Sequence, residues 1–169
     1  MRILGIDPGC YGALALLVNG ALDAVHDMPF LKVRRGKSDK AEIDGYTLGS
    51  LLSALAPDIV VIEQVGGIKG QAAGSSFNFG RAAGAPEYAA KTLRYRVEMI
   101  PPATWKRALR LNPGKDGAFA AASKMWPEMA HRWAAVRGNG NFDQRSGRAE
   151  APLIAHYGQI TYGGSNVFD

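Results

Sequence analysis

The sequence predicts an α/β domain built on a mixed five-stranded sheet flanked by helices, and three observations lead there. Residues 3–27 read as three consecutive strands closed by tight turns. From residue 46 onward, helical and strand-like segments alternate. The one uninterrupted β-branched run, Ile59-Val60-Val61-Ile62, falls in that alternating part. Strands joined by short turns pair antiparallel, whereas strands joined through helices pair in parallel, so one sheet carries both modes.

Each element has its own local reason. Ile3-Leu4-Gly5-Ile6-Asp7 is a short apolar strand ending on an acid, with the turn pair Pro8-Gly9 behind it. Tyr11 to Val18 is the second strand, Asn19-Gly20 is a two-residue hairpin signal, and Ala21 to Asp27 is the third strand. Lys32, Arg34, Arg35, Lys37 and Lys40, with Gly36 and Ser38 among them, read as a mobile basic loop, phosphate contact being the sharper alternative. Leu48, Leu51, Leu52 and Leu55 recur at helical spacing and predict a helix over 46–55, stopped by Pro57-Asp58. The β-branched run that follows suits a strand covered on both faces, and it ends at Glu63.

A flexible loop at 66–70 and a small-residue stretch to Gly84 precede a helix through Tyr88 and Leu93, then a strand over 97–100. Pro101-Pro102 opens a helix carrying Trp105, Lys106 and Arg107. Another helix covers 118–125 and is closed by Pro127. Gly138-Asn139-Gly140-Asn141 reads as a loop, and the last helix is expected over 149–157. The expected organisation is one domain over residues 1–158 with an irregular tail over 159–169.

Composition narrows the class. The 169 residues are 47% hydrophobic and 21% charged, ordinary globular values that exclude wholesale disorder. No apolar run reaches the ~18 residues needed to span a bilayer, and the chain moves into a strand with no signal-peptide pattern. The single cysteine, Cys10, excludes an internal disulfide and a CxxC zinc site, and it reads as a small buried residue rather than a nucleophile. His26, His131 and His156 lack metal-ligand spacing. A soluble cytoplasmic protein with no membrane partner is the expectation. Twenty Lys and Arg against fifteen Asp and Glu give a net charge of +5, favourable to polyanions such as nucleic acid without singling one out.

The acids carry the sharper signal. Two strands finish on Asp7 and Glu63, and functional groups in open α/β sheets gather beyond the carboxyl ends of strands. Parallel neighbours lie about 4.8 Å apart, so the two carboxylates would converge and repel unless a cation or a shared proton offsets them. Hard divalent ions take such oxygen ligands. A third acid, Glu150, opens the C-terminal helix; the helix dipole alone also accounts for it there. Either of the first two, taken singly, reads equally well as a strand-end surface residue.

Gly5-Ile6-Asp7-Pro8-Gly9, Val61-Ile62-Glu63-Gln64-Val65 and Gly147-Arg148-Ala149-Glu150-Ala151-Pro152-Leu153-Ile154-Ala155 occur in an order and spacing that resembles the RuvC-type Holliday-junction resolvases, the phage and mitochondrial-like branch above all. Phe77-Asn78-Phe79-Gly80-Arg81-Ala82-Ala83-Gly84, Pro101-Pro102-Ala103-Thr104-Trp105-Lys106 and Gly114-Lys115-Asp116 between them are similar too, so the resemblance covers residues 2 to 158. It implies an RNase H-like fold, a homodimer, and cleavage of paired strands at a four-way DNA junction. The cofactor it implies is Mg²⁺, with Mn²⁺ as the substitute and no organic cofactor. The setting it implies is the cytoplasm of a bacterium or of a phage-infected host.

Carried over by position, Asp7, Glu63 and Glu150 match the metal-binding acids, and Lys115 and Lys106 match lysines near the cleaved phosphate. In a two-metal-ion hydrolysis, Asp7 would bridge, Glu63 and Glu150 would complete one ion each, and Lys115 would place a positive charge by the scissile group. Lys69, Arg81, Lys106, Arg107 and Lys115 would touch DNA phosphates. The further Asp or His that the family carries about one helical turn before the last acid is replaced here by Ser146-Gly147. Asp143, two helical turns before Glu150, is the substitute metal ligand if the helix starts early, which Gly147 disfavours. The aromatic wedge of those resolvases is also missing after Glu63, where Gly66-Gly67 stands, so either Ile68 or Phe77 serves or the junction is opened in another way. Trp105, Trp126 and Trp133 read as core or interface anchors rather than base-stacking rings.

Other readings stay open. An actin-like or sugar-kinase fold begins with a similar Asp-Gly turn, but it needs two lobes and 169 residues supply one. A nuclease of the same fold acting on RNA or on branched DNA more broadly fits the acids as well. The missing acid also leaves room for a catalytically impaired junction-binding protein.

Overall fold

The computed structural model describes residues 1–36, 38–67, 70–112 and 116–164. Three strands open the chain, β1 (Arg2–Asp7), β2 (Ala13–Val18) and β3 (Ala21–Asp27). Asn19 and Gly20 both take positive φ in the β2–β3 turn, as the hairpin signal requires. The expected basic loop is instead a second hairpin, β4 (Phe30–Arg35) and β5 (Ser38–Ile43), forming its own two-stranded sheet. Its strands carry Val33 and Ile43 among the charges, and Arg34–Asp39 and Arg35–Glu42 pair across it at 3.2 and 2.8 Å. Counting only the cations hid that pattern.

Helix α1 (Gly45–Leu55) is capped by Asp44, whose carboxylate accepts from the Thr47 amide at 3.1 Å. It leads to β6 (Ile59–Glu63), then α2 (Ala73–Thr92), β7 (Arg96–Ile100), α3 (Pro102–Ala108), α4 (Gly117–Met125), a 3₁₀ segment at Pro127–Arg132, and α5 (Phe142–Tyr162). Two of these helices are longer than the sequence predicts. The small-residue stretch is the first half of α2, where the good helix formers Ala73, Ala82 and Ala83 outweigh Gly74, Gly80 and Gly84. Helix α5 starts seven residues early and ends five late, so the tail expected from 159 is helical through Tyr162. A capping box fixes the early start: Asn141 accepts from the Gln144 amide at 2.9 Å while the Gln144 side chain accepts from the Asn141 amide at 3.2 Å.

The five-stranded sheet runs β3-β2-β1-β6-β7, antiparallel on the β1–β2–β3 side and parallel for β1–β6–β7. Side-chain alternation along β1 and β6 assigns the two faces. Leu4, Ile6, Val60 and Ile62 pack on Leu48, Leu52 and Leu55 of α1 and Ala90 of α2. Ile3, Ile59 and Val61 pack on Leu153, Ile154 and Ala155 of α5, with Trp105 and Trp133 in the same cluster. Gly5 lets α5 lie directly on β1, since any Cβ there would collide with the Ala151 and Ala155 backbone. Among the described residues, no helix is long and apolar enough to cross a membrane.

Candidate active site

The parity that builds the core also aims the acids. Asp7 follows Ile3 and Gly5 on one face of β1, and Glu63 follows Ile59 and Val61 on the same face of β6. Ile6 pairs with Ile62 in parallel register, so the two acids leave adjacent strand ends side by side, toward α5. Helix α5 delivers Glu150 from behind. One carboxylate oxygen each from Asp7, Glu63 and Glu150 lies within 4.8 Å of the others.

Close approach of α5 makes this convergence possible. A Cβ on Gly147 would stand 2.9 Å from Asp7 Oδ2 and 2.9 Å from the Gly12 backbone. A glycine inside a helix costs about 1 kcal/mol relative to alanine, and the capping box at the helix start offsets a comparable amount. Gly147 is therefore where the helix seats against the β1–β2 turn, one turn before Glu150. Arg148 anchors the same turn. Its Nε and Nη2 donate to the two Asp27 oxygens at 2.6 and 2.7 Å, and Nη1 donates to the Asn139 and Arg132 carbonyls at 2.6 and 3.1 Å. Nothing local in the sequence pairs residue 148 with residue 27.

Helix α3 completes the site. Pro101 and Pro102 start it directly after β7, the next parallel strand, so its first turns sit over the strand ends. Trp105 is fully buried and its indole Nε1 donates to Glu63 Oε1 at 2.9 Å. Lys106 Nζ donates to Glu150 Oε1 at 2.9 Å and stands 5.0 Å from the Trp105 ring centre. Trp105 is the core residue its helical position predicts, and its polar edge also holds an acid, which helical spacing does not reveal. The adjacency of a Trp-Lys pair to a strand end was the available signal.

The electrostatics describe a site short of positive charge. Burial, then the Glu150 and Glu63 carboxylates, push the Asp7 carboxyl well above its ordinary range; Lys106 opposes this. Burial also raises Glu63, against the Trp105 hydrogen bond, and Glu150 adds to the rise. Burial by itself would lower the Lys106 ammonium, but its bond to Glu150 and the surrounding acids raise it. Among the described residues, three carboxylates with one ammonium beside them form an oxygen-donor set that fits a hard divalent cation.

Asp143 lies outside this cluster. It is exposed on the first turn of α5, and its charge reaches Asp7 as the smallest contribution to that residue's shift. The helix does start early enough to include it, yet its oxygens are not with the other three. Arg81 lies on α2, 3.8 Å from Glu42 and above the Phe77 ring, and Arg107 is exposed on α3. Lys69, Lys115 and Ile68 lie outside the described residues. Phe77 is 66% exposed near the start of α2. Trp126 and Trp133 are buried, and His131 and His156 take part in a backbone contact and a Trp126 edge contact. Cys10 is part-buried, and burial raises its thiol. A cleft of about 260 Å³ opens beside Glu63, lined by Gly66, Phe79, Gly80, Gly84 and Met99.

No protein-family model matches this sequence, and no curated protein does. Solved structures do match its fold. Thermus thermophilus RuvC in complex with a Holliday junction substrate aligns with a TM-score of 0.61 and 14% identity, over 96% of this chain and 96% of that one. A second Thermus thermophilus RuvC structure aligns with a TM-score of 0.55 and 16% identity, over 95% and 96%. The yeast mitochondrial Holliday junction resolvase Ydc2 aligns with a TM-score of 0.49 and 11% identity, over 94% and 80%. The two RuvC matches show the fold, a mixed five-stranded α/β sheet of the RNase H-like type; the acids at the strand ends are an observation on this chain. The fold is similar to that of RuvC over 95 to 96% of this chain.

Proposed function

We propose that this protein is a structure-selective endonuclease that resolves four-way DNA junctions by metal-dependent phosphodiester hydrolysis, acting as a homodimer so that two copies cut two strands. The observation that carries the reading is the meeting of Asp7, Glu63 and Glu150 oxygens within 4.8 Å beyond the ends of two parallel strands. The RuvC fold supports it, since one such structure holds a Holliday junction.

Asp7, Glu63 and Glu150 would hold Mg²⁺ through the three oxygens that converge there. Bound divalent ions supply Lewis acidity that makes water a nucleophile at neutral pH and offsets charge on the departing 3′ oxygen. Trp105 keeps one Glu63 oxygen engaged and so fixes the direction of the other. Lys106 pairs with Glu150, and its ammonium would meet negative charge on an incoming phosphate. Lys115 would add a second positive charge there, and Lys69, Arg81 and Arg107 would contact DNA phosphates farther out.

The test is incubation with a four-way junction, a flap, a duplex and an RNA–DNA hybrid, each with Mg²⁺ or EDTA. Preferential, symmetric cutting of the junction in Mg²⁺ alone is expected. Equal cutting of the hybrid or the flap would move the reading to a broader nuclease. Tight junction binding without cutting would make it a junction-binding protein, the reading that Asp143's distance from the cluster favours.

A further inference from the structure

We propose that the β4–β5 hairpin and the facing side of α2 form a second nucleic-acid contact, a groove that grips backbone phosphates of a DNA duplex arm away from the cleaved bond. This rests on the reading of the protein as a DNA-junction nuclease. The register pairs Arg35 with Ser38, Val33 with Lys40 and Leu31 with Glu42, which sets Arg35, Lys40 and Glu42 on one face of the hairpin. That face and α2 enclose a groove of about 440 Å³ lined by Arg35, Lys40, Glu42, Asn78, Arg81 and Ala85.

The groove holds three cations and one carboxylate. Glu42 spans both guanidiniums, with Oε1 2.8 Å from Arg35 Nη2 and Oε2 3.8 Å from Arg81 Nη2. One acid thus hydrogen-bonds Arg35 and lies near Arg81 without neutralising both, and their side chains stay 58% and 54% exposed. Lys40 is exposed and makes no ion pair among the described residues. Surplus positive charge, forked donors held in place and an open trough match a phosphodiester backbone.

Two further features favour a ligand over a stabilising role. The hairpin is a sheet of its own, and of its described residues only Ile43 packs on the core clusters. Its base also touches the catalytic end of the molecule. Phe30 packs edge-on against Tyr11 at 5.4 Å, and Tyr11 lies in the turn that follows Asp7. The Phe79 ring lies beside Gly9 of that turn, one residue from Asn78 in the groove. Nucleic acid seated on the acids therefore has a continuous path over the β1–β2 turn into the trough.

The experiment measures binding of the full chain to a fluorescent four-way junction in Ca²⁺ across a KCl series. Each lost phosphate contact flattens the slope of log K against log salt by about 0.9. R35Q/K40Q should therefore flatten it by about 2 and weaken binding, while the thermal midpoint and Mg²⁺ affinity stay as in the wild type. R81Q, on the opposite wall, should flatten it by about 1 and provides an independent reading. R34Q, which removes the same charge from the other hairpin face, should leave the slope unchanged. Wild-type slopes in both groove variants, or an equal change in R34Q, would overturn the proposal while leaving the nuclease reading intact. Failure of the wild-type protein to bind junction DNA would overturn both.

Discussion

The acidic cluster and the basic hairpin hold similar ingredients, carboxylates and cations within hydrogen-bonding reach, yet their surroundings make them opposites. At the cluster, Glu63 is 6% exposed, Trp105 is fully buried, and the Lys106–Glu150 pair lies half inside the protein. Charge there is poorly solvated, so each neighbour shifts proton affinities and each missing partner is costly. At the hairpin, Arg34–Asp39 stands largely in solvent and Arg35 is 58% exposed over a Glu42 that is 25% exposed, so water and salt screen these pairs more. Burial, more than the choice of residues, separates a site that does chemistry from a surface that steers a polyanion.

That contrast can be broken or sharpened by experiment. The largest effect belongs to Asp7→Asn, which should abolish junction cleavage while anisotropy still reports binding. Parallel loss of both would show that Asp7 maintains structure rather than chemistry. Next comes Trp105→Phe, which keeps an aromatic filler but removes the N–H on Glu63. Mg²⁺ affinity by calorimetry should fall about 10- to 100-fold, the usual range for an outer partner of a metal ligand. An unchanged affinity would reduce Trp105 to packing alone.

A pH series on the metal-free protein comes third. Asp7 and Glu63 have folded pKa values raised above those of the unfolded chain. The folded state therefore binds more protons in that window, and stability is lost as pH climbs from the ordinary carboxylate range through the raised values. Thermal midpoints should fall over that interval and recover on adding Mg²⁺, whose binding strengthens as protons leave. A flat profile would mean the cluster is already compensated. The smallest effect is Arg34→Ala, expected to change unfolding free energy by less than about 0.5 kcal/mol in chemical denaturation. A larger loss would mean the hairpin is structural after all.

Much of the site was legible from local pattern. Parity along Ile3-Leu4-Gly5-Ile6-Asp7 and Ile59-Val60-Val61-Ile62-Glu63 places both acids on one face, and the helical link between the strands implies parallel neighbours. The hairpin was illegible because its cations dominated a pattern whose apolar positions are few, Val33 and Ile43 among them. The start of α5 was misjudged because Gly147 argued against a helix locally, while its reason for being glycine lies across the fold at Asp7 and Gly12.

Periodicity and short-range turn chemistry suffice for the opening three-strand meander, the two acids at the strand ends and the alternating apolar faces, whereas the order β3-β2-β1-β6-β7 is a property of the folded sheet. Tertiary structure alone decided that Glu150 joins them and Asp143 does not, that Trp105 spends its N–H on Glu63, and that Arg148 ties α5 to Asp27. Those choices depend on how closely one helix can approach a sheet, a distance set by side chains far apart in the chain and absent from any local window.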